Sequence, residues 1–128
     1  MIILDFIETG SEFAPLLRLW GRDVAAYDSF WSNIRNLATG MEQSFTVNEV
    51  LGIQAANDRT LLCKTSAVDR GIEPGAAPNT FVWELTAEGW EDVASLLEPF
   101  CETTATNYFQ WLNWQGTVKL LISHDGKW

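Results

Sequence analysis

Thr80-Phe-Val-Trp-Glu-Leu-Thr-Ala-Glu-Gly-Trp-Glu-Asp-Val-Ala-Ser-Leu-Leu-Glu-Pro-Phe100 sets a strand and a helix back to back. Residues 80–85 have the β-branched and aromatic make-up of a short strand. Thr86 then caps a helix whose first turn carries Glu88, where the helix dipole favours a negative charge. Along that helix Trp90, Val93, Leu97 and Phe100 share one face, while Glu88, Glu91, Asp92, Ser95 and Glu102 fall on the opposite one. Such a division is that of a helix lying on a core with its polar side in solvent. Pro99 limits it at about Glu98, because the residue before a proline is pushed out of helical geometry.

Upstream, Ile2, Leu4 and Phe6 alternate with Ile3, Asp5 and Ile7, which predicts an opening strand ended by Thr9-Gly10-Ser11. From Phe13 to Ala38 the apolar positions Phe13, Leu16, Trp20, Tyr27, Trp31, Ile34 and Ala38 recur at helical intervals, so one amphipathic segment is expected there. Gly21, followed by the cap candidate Asp23, divides it with a bend, and Thr39-Gly40 stops it. Residues 44–54 and 60–68 flank the turn-forming Ala55-Ala56-Asn57-Asp58-Arg59 and read as an antiparallel hairpin. Asp69 to Asn79, with two Gly and two Pro, reads as a surface loop.

Downstream, Asn107 to Trp114 and Thr117 to Ser123, separated by Gln115-Gly116, read as a second hairpin, with a short helix over 105–114 as the alternative. The expected fold is α+β: a single domain over 1–128, with a mostly antiparallel sheet and one or two helical segments packed on one face. The element order is β-α-β-β-β-α-β-β. Strands joined by tight turns favour this over a doubly wound parallel sheet. At 128 residues one core suffices. A hydrophobic fraction of 47%, with seven Trp, excludes a disordered tail.

Charge is distributed unevenly. Residues 1–70 carry nine acids against six bases, whereas residues 71–118 carry seven acids and no base, within a chain of net charge −9. A field of one sign favours cationic partners and repels nucleic acid. The apolar start, broken by Asp5, is neither a leader peptide nor a membrane span. Cys63 and Cys101 are too sparse for a secreted disulfide framework and are expected as reduced thiols, which points to the cytoplasm.

No constellation for catalysis emerges. Ser123-His124-Asp125 contains the residue types of a hydrolase triad, yet successive positions on a strand end point away from one another, and His124 is expected on a solvated turn. One His and two distant Cys make no zinc pattern, and the carboxylates lack the spacing of a calcium loop. Glu88, Glu91 and Asp92 read as a solvated helical face rather than a cation site. Glu84 and Glu49 could face each other across a cleft, but seventeen acids offer many such pairs. Gly71-Ile-Glu-Pro-Gly75 lacks the lysine of a phosphate loop. No cofactor is implied.

Trp20, Trp31 and Trp90 lie on expected core faces. Trp111 and Trp114, three apart on a strand, should point to opposite faces so that one is exposed, and Trp128 is a further exposed candidate. An exposed Trp beside carboxylates is the make-up of a protein-binding hot spot. The expectation is therefore a non-enzymatic inhibitor or immunity-type module that docks a basic protein surface, such as that of a toxin or nucleic-acid-binding protein. Its site residues would be Glu84, Glu88, Glu91, Asp92, Glu102, Trp111 and Trp114. A nucleic-acid mimic is the first alternative, and a ligand-binding domain or enzyme with a cleft near Glu84, Trp83 or Trp111 is the second.

Overall fold

The computed structural model describes residues 1–102 and 108–128, and the fold is α+β. Nine strands form two mixed sheets among the described residues. In chain order they are β1 (Ile2–Ile7), β2 (Leu16–Trp20), β3 (Ser44–Thr46), β4 (Ile53–Ala55), β5 (Thr60–Thr65), β6 (Gly71–Pro74), β7 (Thr80–Leu85), β8 (Phe109–Asn113) and β9 (Lys119–Ser123). The helices are α1 (Val24–Thr39) and α2 (Ala87–Leu97). One sheet runs β4-β1-β2-β9-β8 and the other β3-β5-β7-β6. Four pairings are antiparallel; β1 with β4, β2 with β9, and β5 with β7 are parallel.

Both sheets and both helices feed one core. β1 sends Ile2 and Leu4 inward, β7 sends Phe81, Trp83 and Leu85, and α1 sends Tyr27, Phe30, Ile34 and Leu37. Trp83 and Trp90 meet edge to face with centroids 4.7 Å apart, a geometry that adds about 0.5–1.5 kcal/mol to their burial. The indoles also tie elements together: Trp90 Nε1 donates to the Lys64 carbonyl and Trp31 Nε1 to that of Ala94. The predicted helix ends are present. The Asp23 carboxylate accepts from the Ala26 amide, the Thr86 hydroxyl accepts from the Gly89 amide, and Gly40 closes α1 with φ of 80°. α2 ends at Leu97, and a 3-10 turn over Glu98–Cys101 follows.

The backbone departs from the expectation in three places. The helical pattern expected over 13–20 gives way to a turn and then strand β2 over Leu16–Trp20. This strand runs between β1 and β9, and Leu16 is fully buried on the face it shares with Arg18 and Trp20, as Leu17 and Leu19 are on the other, which blurs the period of two. Trp20 consequently lies on the outer sheet face, with the Arg18 guanidinium 5.5 Å above its ring, and not in the core. The hairpin over 44–54 and 60–68 holds only between β3 and β5. A 3-10 turn at Val47–Glu49 redirects the chain, and β4 joins the other sheet parallel to β1. The expected 69–79 loop contains β6, whose Ile72 is fully buried. The β8/β9 hairpin forms as expected, and the helical alternative fails over 109–113; its portion at 105–107 lies outside the described residues.

The two sheets are stitched together where β6 meets the β8–β9 turn. Ile72 donates to the Gln115 carbonyl at 3.2 Å and accepts from the Val118 amide at 3.1 Å. The Glu73 carboxylate also accepts from the amide and hydroxyl of Thr117. This approach needs glycine on both sides. A Cβ on Gly71, where φ is +74°, would sit 2.1 Å from the Gln115 oxygen; one on Gly116, where φ is +81°, would sit 2.5 Å from the Ile72 oxygen. Gly71→Ala and Gly116→Ala are each expected to lower unfolding stability in urea by about 2–5 kcal/mol, combining left-handed strain with backbone overlap. A loss below about 1 kcal/mol, the least that left-handed strain alone should cost, would show that the crossing is loose.

Candidate functional site

The acids of α2 are exposed, as the helical pattern requires, but the expected site residues divide among four surroundings. Glu84 faces outward from β7 between Lys64, 3.9 Å away, and Arg70, 3.7 Å away, so its charge is answered locally. Glu91 reaches Arg35 of α1 at 4.0 Å, an exposed pair worth little. Glu102 lies past the 3-10 turn and lines a depression with Asp28, Trp31, Glu98 and Cys101. Asp92 borders a different cavity, and Glu88, one turn earlier, shares its side of the helix.

That cavity is a groove of about 330 Å³ between α2 and β8, and it brings Asp92 together with both Trp111 and Trp114. The volume is at the low end of ligand pockets, roughly 300–1,000 Å³. Trp111 and Trp114 do not point to opposite faces. A register shift between Trp111 and Asn113 makes a β-bulge, after which both rings lie on one side with centroids 4.6 Å apart. Buried Asn113 holds the bulge by donating Nδ2 to the carbonyls of Gln115 and Val118, at 2.7 and 3.0 Å. Trp114 is 54% exposed. Phe13 packs on both rings, at 5.3 and 5.8 Å, and Trp128 approaches Trp111 at 6.5 Å.

Two further groups shape the groove. Asp69 Oδ1 accepts from the backbone amide and the hydroxyl of Thr86, at 2.8 and 2.9 Å, so a loop carboxylate is held at the start of α2. Gly89 makes room for it, since a Cβ there would lie 2.6 Å from Oδ1. Lys119 places its ammonium 5.2 Å over the Trp114 ring. Sequence reasoning missed Asp69, Phe13 and Lys119, whose roles depend on contacts that no local spacing encodes. Trp83 is fully buried and Glu84 projects to the other face of β7, so these two share no cleft.

His124 is not on a solvated turn. It is 3% exposed, its Nδ1 accepts from the Tyr108 amide at 3.2 Å, and its ring packs 4.8 Å from Phe100. Among the described residues, no group of three or more His, Cys, Asp or Glu could hold a metal ion. Nor is any helix long and apolar enough to cross a membrane. Comparison with protein-family models, curated proteins and solved structures finds no match.

Both cysteines are free. Burial pushes the Cys101 thiol up to about 11, and the carboxylates of Asp28, Glu98 and Glu102 add to the shift by opposing a thiolate. Cys63, fully buried, is raised by burial alone. Iodoacetamide should therefore modify Cys101 only slowly at neutral pH, with a rate that keeps climbing until about pH 11. Rapid labelling at pH 7 would contradict this environment.

Proposed function

We propose that this chain is a non-enzymatic protein-binding module, of the inhibitor or immunity type, that docks a basic partner surface through the face shared by α2 and β8. The observation that supports it most is the groove in which Asp92 stands opposite half-buried Trp111 and exposed Trp114. Exposed tryptophans supply a large, rigid apolar contact, and neighbouring acids accelerate encounter with a cationic surface. Glu88 and Asp92 carry no ion pair among the described residues, so their field reaches solvent. A nucleic-acid mimic would need regularly spaced free carboxylates, whereas Glu84 and Glu91 are answered by Lys64, Arg70 and Arg35. Free thiols at Cys63 and Cys101 fit a reducing, cytoplasmic setting.

Affinity capture from the native host at low salt, with release at high salt, identifies the partner. On that partner the triple variant Glu88→Lys, Glu91→Lys, Asp92→Lys should keep its fold and associate about tenfold or more slowly at low ionic strength, the gap closing as salt rises. Unchanged association kinetics would remove the acidic-face reading.

A further inference from the structure

We infer that the α2/β8 groove clasps an arginine side chain from an extended segment of the partner. This deepens the docking reading above and rests on it. The groove sets anionic and aromatic groups against each other: Asp69 and Asp92 among its carboxylates, Trp111 and Trp114 among its rings, with Val93 and Leu96 as apolar lining. An apolar lining with two carboxylates suits a long aliphatic stem that ends in a positive charge. The ring pair then selects among cations. A guanidinium is flat, lies parallel on an indole face and presents a fork of donors to a carboxylate, while an ammonium meets the face only as a point charge and has no fork.

Three features support this occupant beyond net charge. The chain already uses one of these rings for a cation, since the Lys119 ammonium sits 5.2 Å over Trp114. Asp69 is oriented in advance: both of its described hydrogen bonds fall on Oδ1, from the Thr86 amide and hydroxyl, so Oδ2 is left to accept. The two indoles pack on each other, with centroids 4.6 Å apart and an interplanar angle of 48°, so the aromatic wall is fixed before a ligand stacks on its outer side.

The test uses the intact chain and N-acetyl-arginine methylamide as probe, followed through the indole N–H signals in 1H–15N NMR spectra. The Trp111 and Trp114 signals should move and saturate, while those of buried Trp83 and Trp90 stay in place and certify the fold. The citrulline analogue, uncharged but nearly the same shape, should bind at least tenfold more weakly. Asp92→Asn should weaken the arginine probe about fivefold, and Asp92→Glu should restore part of the loss. A lysine or citrulline probe that matches arginine would overturn the guanidinium assignment. In a parallel arm, a hexalysine peptide reports on the acidic face alone. If hexalysine binds with salt dependence while arginine methylamide leaves Trp111 and Trp114 unmoved, the groove inference falls and the docking reading stands. If neither binds, both fall.

Discussion

The contact on which the rest of the structure depends is the backbone crossing of Ile72 with Gln115 and Val118. Each sheet alone is incomplete. The four-stranded sheet would end at β6, and the β8–β9 turn, although β9 pairs with β2, would have no support at its tip. Two hydrogen bonds across the crossing, with Glu73 holding Thr117, make the hairpin turn an extension of the β6 edge. An edge strand with open donors and acceptors is a liability in water, and pairing it internally removes that liability. Glycine at 71 and 116 is the condition for it, since any larger residue would place an atom inside the opposing backbone.

The groove follows from the same crossing. With the turn anchored, β8 is held beside α2, and the bulge before Asn113 turns Trp114 to the side of Trp111. α2 in turn is placed by the Thr86 cap and by Trp90, which buries fully against Trp83 and reaches the Lys64 carbonyl. One wall of the groove is thus set by helix capping and the other by a bulge. Lining residues at fixed backbone positions lose less freedom on binding, which is how a small surface gains affinity. The outer face of the five-stranded sheet is braced separately. Arg18 holds Asp5 at 2.6 and 3.0 Å and donates to the Gly126 carbonyl at 2.7 Å, fastening the chain end that carries Trp128.

What was legible in the sequence was local. The alternation of β1, the caps Asp23, Thr86 and Gly40, the two faces of α2 and the last hairpin each rest on residues within a few positions of one another. What was hidden depends on distant partners. β2 reads as helix because burial on both faces hides its period, and β4 and β6 are too short to announce themselves without the strands they pair with. Asn113 cancels the rule that separates Trp111 from Trp114, and nothing near it in sequence signals a bulge. At the site, the exposed acids of α2 and the candidacy of Trp111 and Trp114 were readable but their pairing was not, and Asp69 comes from a loop 17 residues before its partner Thr86. The placement of Glu84 between two cations could not be read, because Lys64 and Arg70 come from elements outside its own strand.

Native-state hydrogen exchange at Ile72 and Val118 addresses the crossing most directly. Both amides donate across it. If the crossing joins the sheets into one cooperative unit, these amides exchange only through global unfolding, with the same free energy and the same denaturant dependence as the core amides of β7 and β9. Exchange of Val118 through a smaller, denaturant-insensitive opening while β7 keeps its protection would contradict the account, and would make the β8–β9 hairpin, with its half of the groove, an independently moving part.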